Sequence, residues 1–139
     1  MSLAEVMLWA MGSFQTELRI ENIFDHAQGV TLDGALVDTG SEFNWIPEKT
    51  LESLGIKREK EDVVFLMANG QTITRAMGFA IVRVGGSFTI DEVVFGEPGD
   101  QLLLGARSLD GLNLMVDPPR KRLVAAGPFL AAANARHGD

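Results

Sequence analysis

The chain has no cysteine and no tyrosine among its 139 residues. The missing thiols exclude disulfides, cysteine nucleophiles and thiolate metal sites, and agree with a reducing compartment. Basic charge is scarce too: 12 Lys and Arg stand against 19 Asp and Glu, a net charge of −7. A nucleic-acid partner would require a basic surface, which this balance does not supply. The one basic cluster, Arg120-Lys121-Arg122, follows Asp117-Pro118-Pro119 and reads as a solvated turn or an edge strand. No apolar run is long enough to form a membrane span. Met1 to Gly12 is fairly apolar but has no basic leading region and is interrupted by Glu5, so no signal peptide is expected and the expected location is cytoplasmic. His26 and His137 are too far apart to make a metal-ligand spacing. Gly85-Gly86 lacks the following helix of a nucleotide loop, and no cofactor is expected.

What is present is ordinary globular material, 46% hydrophobic and 22% charged, in a length that suits one domain. The 15 glycines fit short strands joined by tight turns. Phe14, Thr16, Leu18 and Ile20 alternate with Gln15, Glu17 and Arg19, the period-two pattern of a half-buried strand. Asn22 to Gln28 is polar and loop-like. Three pairs of apolar runs then flank Asp33-Gly34, Asn69-Gly70 and Gly85-Gly86, each a hairpin signal because such turns need positive φ. Pro47, the spacing of Leu51 and Leu54, and Gly55 predict a short helix. Leu102-Leu103-Leu104-Gly105 reads as a strand covered on both faces, followed by a helical turn over Ala106 to Leu112. Leu112, Leu114 and Val116 alternate before the Pro118-Pro119 turn, and Leu123-Val124-Ala125 leads out. Together these predict a mostly-β barrel or sandwich with one or two short helices.

The chemistry-bearing stretch is Ala35-Leu36-Val37-Asp38-Thr39-Gly40-Ser41, an apolar strand that ends in Asp-Thr-Gly. The tripeptide alone also makes an ordinary turn. Its context narrows the reading: strand, a hairpin at Asp33-Gly34, Asp-Thr-Gly-Ser, short helix, hairpins at Asn69-Gly70 and Gly85-Gly86, then two hydrophobics and a glycine before a helix. That order, from about Gly12 to Ala125, resembles the retropepsin family, the retroviral-type aspartic proteases and their cellular and bacterial relatives.

The resemblance implies a closed-barrel acid-protease fold over 12–127. Residues 1–11 are then an N-terminal extension or tag remnant, and 128–139 a flexible tail. It implies an aspartic endopeptidase with Asp38 as the catalytic carboxylate. Thr39 corresponds to the residue that hydrogen-bonds across a dimer axis, and Gly40 to the one that leaves room for substrate backbone. Ser41 and Glu42 fall beside the catalytic pair. Met67, Ala68, Asn69 and Gly70 fall on the flap, and Leu103, Leu104 and Gly105 beneath the loop; Leu104 is grouped with the substrate contacts. The chain holds a single Asp-Thr-Gly and no Asp-Ser-Gly, so the second carboxylate has to come from another copy in a C2 homodimer acting on a polypeptide.

Two departures from the family pattern stand out. The flap tip carries one glycine where the retroviral tip is long and glycine-rich, and Ala106 intervenes before Arg107, which suggests a Glu42–Arg107 ion pair. A short flap also leaves open a second reading, a catalytically weak or inactive dimeric peptide-binding module of the same fold. A third is a purely structural dimerisation domain. Trp45 reads as core or pocket wall.

Overall fold

A computed structural model describes residues 14–129 and residue 131. The expectations for residues 1–11, for His137 and for most of the tail lie outside the described residues. The chain runs β1 (Gln15–Glu21), β2 (Gly29–Asp38), β3 (Asn44–Pro47), α1 (Glu48–Ser53), β4 (Lys60–Leu66), β5 (Thr72–Val84), β6 (Ser87–Gly96), β7 (Leu103–Gly105), α2 (Ala106–Leu112), β8 (Leu114–Asp117) and β9 (Arg122–Ala125). Six strands close into a barrel in the order β1-β2-β7-β3-β6-β5, with β5 returning to β1 through Arg19↔Arg83, Ile20↔Val82 and Glu21↔Ile81. Strand β4 hangs on β5 outside the ring, and β8 and β9 form a separate two-stranded sheet.

Alternation sets the core. Leu18 and Ile20 of β1, Ala35 and Val37 of β2, Ala80 and Val82 of β5 and Leu104 of β7 all turn inward at 4% exposure or less. They join Ile46, Leu51, Val93, Phe95 and Leu109 in one cluster that fills the barrel and seats both helices. The short helix starts after Pro47, where a missing N–H costs nothing, and ends before Gly55 at φ +70°.

The Asp33-Gly34 hairpin is not formed. Strand β2 runs unbroken through it, and its antiparallel partner is β1, reached across the Asn22–Gln28 loop. Asp33 and Gly34 instead make a bulge, two residues against Glu17, with Gly34 at φ +75° and its N–H on the Asp33 carboxylate at 2.9 Å. The same positive φ that suits a type I′ turn suits a bulge, so the local signal serves both. Strand β2 is still the second arm of a hairpin, with a different first arm. The hairpin at Gly85-Gly86 forms as expected, Val84 pairing with Ser87.

Two buried or half-buried ion clusters tie the barrel. At the β1–β5 seam the Glu21 carboxylate, 5% exposed, accepts from Arg19 Nε at 2.7 Å and Arg83 Nε at 2.9 Å. At the flap base Arg75 of β5 grips Asp100 with two hydrogen bonds of 2.8 and 3.0 Å. Burial pushes both carboxyls up, but the arginine hydrogen bonds and charges outweigh it, together with the Glu97 N–H at Asp100, and hold both below the usual carboxylate range. A lowered folded-state pKa means that stability is present above the unfolded-state value and is lost as pH falls through the folded one. The melting temperature is expected to hold a plateau from neutrality to about pH 5 and to drop below about pH 4. In Glu21→Gln the plateau is expected to be lower and the acid drop shallower, as measured by thermal melts across that range.

Candidate active site

Asp38 is the last residue of β2, and the parallel register with β7 sets Val37 against Leu104 and Asp38 against Gly105. The chain then turns sharply. The Ser41 N–H reaches the Asp38 carbonyl at 3.1 Å, and the Gly40 N–H donates to Asp38 Oδ1 at 2.9 Å. That second bond aims the carboxylate. Asp38 is half-buried, whereas Thr39 and Gly40 stand exposed at the tip.

The loop is bolted to the start of α2. The first amides of that helix have no helical acceptor. Here Ala106 N–H donates to the Ser41 carbonyl at 2.7 Å and Arg107 N–H to the Glu42 carbonyl at 3.1 Å. Ser41 Oγ donates to the Phe43 carbonyl at 2.9 Å. Gly105 makes this contact possible: a Cβ there would lie 2.4 Å from the Phe43 carbonyl oxygen and 2.9 Å from that of Ser41. No larger residue fits without moving the backbone that carries Asp38.

Beneath the loop runs a polar chain that the sequence reading missed. Asn44 Oδ1 accepts from the Gly105 N–H at 2.9 Å, and Asn44 Nδ2 donates to Ser108 Oγ at 2.6 Å. Ser108 Oγ in turn donates to Asp91 Oδ2 at 3.1 Å. Asn44 and Ser108 are each 1% exposed. A buried polar side chain has to be hydrogen-bonded, so Asn44 inside Phe43-Asn44-Trp45-Ile46 was the available signal. The chain joins β3, β6, β7 and α2, and it fixes the platform on which Asp38 sits.

The remaining site residues fall in three places. Ser41 is half-buried in the loop and Glu42 is exposed beside it. The Glu42–Arg107 ion pair is absent. Arg107 turns instead toward Asp91 at 3.7 Å and Glu92 at 3.9 Å and lies over the Phe43 ring at 5.2 Å, its contact with Glu42 being through the backbone alone. Leu104 is 0% exposed and packs within the main core; it supports the loop from below and offers no surface to a ligand.

The flap forms from β4 and β5. Its tip is a three-residue loop rather than a two-residue turn: Met67 and Gln71 close it at 2.8 Å, and Gly70, at φ +85°, donates to the Met67 carbonyl at 2.9 Å. Asn69 Oδ1 stiffens it by accepting from the Gln71 N–H at 2.9 Å. Ala68, Asn69 and Gly70 are exposed, while Met67 turns inward to a second apolar cluster built on Trp45, Met77 and Val94. Among the described residues no three His, Asp or Glu side chains gather as a metal site, and no helix is long and apolar enough to cross a membrane.

A closed six-stranded barrel, an Asp-Thr-Gly loop pinned between its parallel strands, and an overhanging hairpin define the fold of acid proteases in its single-motif form. The sequence matches the family model described as aspartyl protease over residues 26–107, more than half of the chain, and the chain belongs to the retropepsin-like aspartyl protease family. No curated protein matches it.

Proposed function

We propose that the chain, through a working domain of residues 12–127, is an aspartic endopeptidase acting as a two-fold homodimer on extended polypeptides. The observation that carries this is the aimed Asp38 carboxylate beside an exposed Thr39-Gly40 tip, in a chain with one Asp-Thr-Gly. Two such loops meeting tip to tip bring two carboxylates to about 3 Å, where both cannot ionise and one proton is shared. The ionised Asp38 takes a proton from a water held between them. The protonated one donates its proton to the scissile carbonyl oxygen as the water adds; the proton taken from water then passes to the leaving amine as the C–N bond breaks, and a hydroxyl of the intermediate returns a proton to the emptied carboxylate. Thr39 hydroxyls hydrogen-bond across the axis and keep the loops in register. Gly40 leaves space for substrate backbone, with Ser41 and Glu42 at the rim. Met67, Ala68, Asn69 and Gly70 cover the bound strand.

The three-residue flap tip favours one second reading, a dimer that holds peptides with little turnover because water is poorly excluded. A single assay separates the two. Purified protein incubated with a peptide library between about pH 4 and pH 6 is expected to cut, and a statine-type inhibitor to block the cutting. Peptides bound but left whole would instead establish the holding module.

A further inference from the structure

The outer surface of β1, β5 and β6 is apolar where alternation calls for polar residues. Ile20 and Val82 point into the core, so their neighbours Arg19, Glu21, Ile81 and Arg83 face outward. Register lines up Arg19, Arg83 and Phe88 in one row across the three strands, and Glu21, Ile81 and Ile90 in the next. Phe88 and Ile90 are 55% and 56% exposed, and Phe79, two residues before Ile81, is 42% exposed. Contiguous exposed apolar side chains of this kind mark a docking surface.

The charge beside this surface has a sign. Arg19 and Arg83 both donate through Nε to Glu21 Oε2, and among the described residues their Nη groups have no acceptor. Two guanidiniums against one carboxylate leave one positive charge in excess, in a chain of net charge −7. Arg83 lies over the Phe88 ring at 4.8 Å, so that charge adjoins the apolar face. A fitting occupant brings apolar side chains and one acid. A second copy presenting the same face would set like charges together.

The start of β1 supplies such an occupant. Because β1 runs antiparallel to β5, its first residues lie toward the Gly85-Gly86 turn, at the end of this same surface. Phe14 is held there by its carbonyl, which accepts from Val37 N–H at 2.9 Å. Before it the sequence has Gly12-Ser13, residues suited to a chain reversal, and then Leu3, Val6, Met7, Leu8, Trp9 and Met11 around a single ionisable side chain, Glu5. Glu5 is six residues before Met11, a reach of roughly 9 Å coiled as a helix and roughly 20 Å extended. Arg19 lies four residues into β1 from Gln15, about 13 Å along the strand and between those limits. The other end of the chain fits less well, since Leu130 is the one large apolar residue in 130–139.

We propose that residues 1–11 turn back through Gly12-Ser13 and dock on the outer face of β1, β5 and β6, with their apolar side chains on Phe79, Phe88 and Ile90 and Glu5 against Arg19 and Arg83. The segment is then a part of the folded domain, anchored on the strand that holds β2 next to Asp38.

Amide hydrogen exchange on the full chain tests this in wild type, Phe88→Ser, Ile90→Ser and Glu5→Lys. All three substitutions are at positions that the barrel core does not use. Residues 3–11 are expected to exchange at least about tenfold more slowly in wild type than an unprotected chain. That protection is expected to fall about tenfold in Ile90→Ser and Phe88→Ser and about threefold in Glu5→Lys, with β2 and β7 unchanged. Unprotected exchange at 3–11 in wild type overturns the proposal. So does protection that survives both serine variants, which would place the segment elsewhere. Exchange at 130–139 that responds in place of 3–11 would make the other end of the chain the occupant. Protection that disappears on dilution, in step with dissociation seen by sedimentation, would assign the surface to a second copy.

Discussion

Asp38→Asn is expected to lower peptide cleavage by about ten-thousand-fold or more while leaving the fold and the dimer in place. Asparagine has nearly the same shape, and its Oδ1 can still accept the Gly40 N–H that orients the native carboxylate at 2.9 Å. What it loses is the proton chemistry. Neither symmetry-related Asn can take a proton from water or give one to the leaving amine, so base and acid disappear together. Steady-state cleavage of one peptide, with melting and sedimentation of the variant as controls, checks the prediction. Turnover surviving in Asp38→Asn would remove the carboxylate from the mechanism. The ion clusters at Glu21 and Asp100 matter here, since carboxyls held low by arginines keep the barrel folded into the acid range of the assay.

The fold was legible wherever one local signal allowed one outcome. Alternation in Phe14–Ile20, the Gly85-Gly86 turn, the apolar Leu102–Gly105 run and Pro47 each became the element expected. Asp33-Gly34 was misread because a positive φ serves a bulge as well as a turn, and only the partner strand decides between them. The flap tip had the same ambiguity, a glycine that follows a turn rather than forming its centre. The site divides likewise. The turn of Asp38 to Ser41 at the end of its strand could be read from the chain because it is set by neighbours in sequence. The Asn44–Ser108–Asp91 chain could not, because its members lie on β3, α2 and β6 and meet only after the barrel closes. Arg107 had nearby Glu42 as an obvious candidate. Strand register brings Asp91 and Glu92 to it instead, and the face of the Phe43 ring beneath its guanidinium adds a further attraction there.

Activity per chain is expected to fall about tenfold for each tenfold dilution once the protein is well below its dimer dissociation constant, because the dimer population then varies as the square of chain concentration. The expectation follows from the surface of one chain. Thr39 and Gly40 are exposed at the loop tip, and the sequence holds no second Asp-Thr-Gly to face them. Among the described residues, strands β8 and β9 have only each other as hydrogen-bonding neighbours, and Met115 on β8 is 51% exposed. Free edges of this kind pair readily with another copy. Replacing Thr39 by Val keeps the β-branch and removes the hydroxyl that would bond across the axis. Two symmetry-related hydrogen bonds are lost at once, which is expected to raise the dissociation constant by roughly tenfold to a hundredfold. Asp38→Asn subunits supply an independent check, since they still dimerise but bring only one functional carboxylate to a mixed pair. Mixed in equal amounts under exchange, about a quarter of the dimers are wild type on both sides, so added inactive chain suppresses the activity of native chain instead of merely diluting it. Enzyme assays over a dilution series, with sedimentation at the same concentrations, give the answer directly. Constant activity per chain through dissociation would mean that one Asp38 suffices, and the second proton carrier would then have to be found within the same barrel.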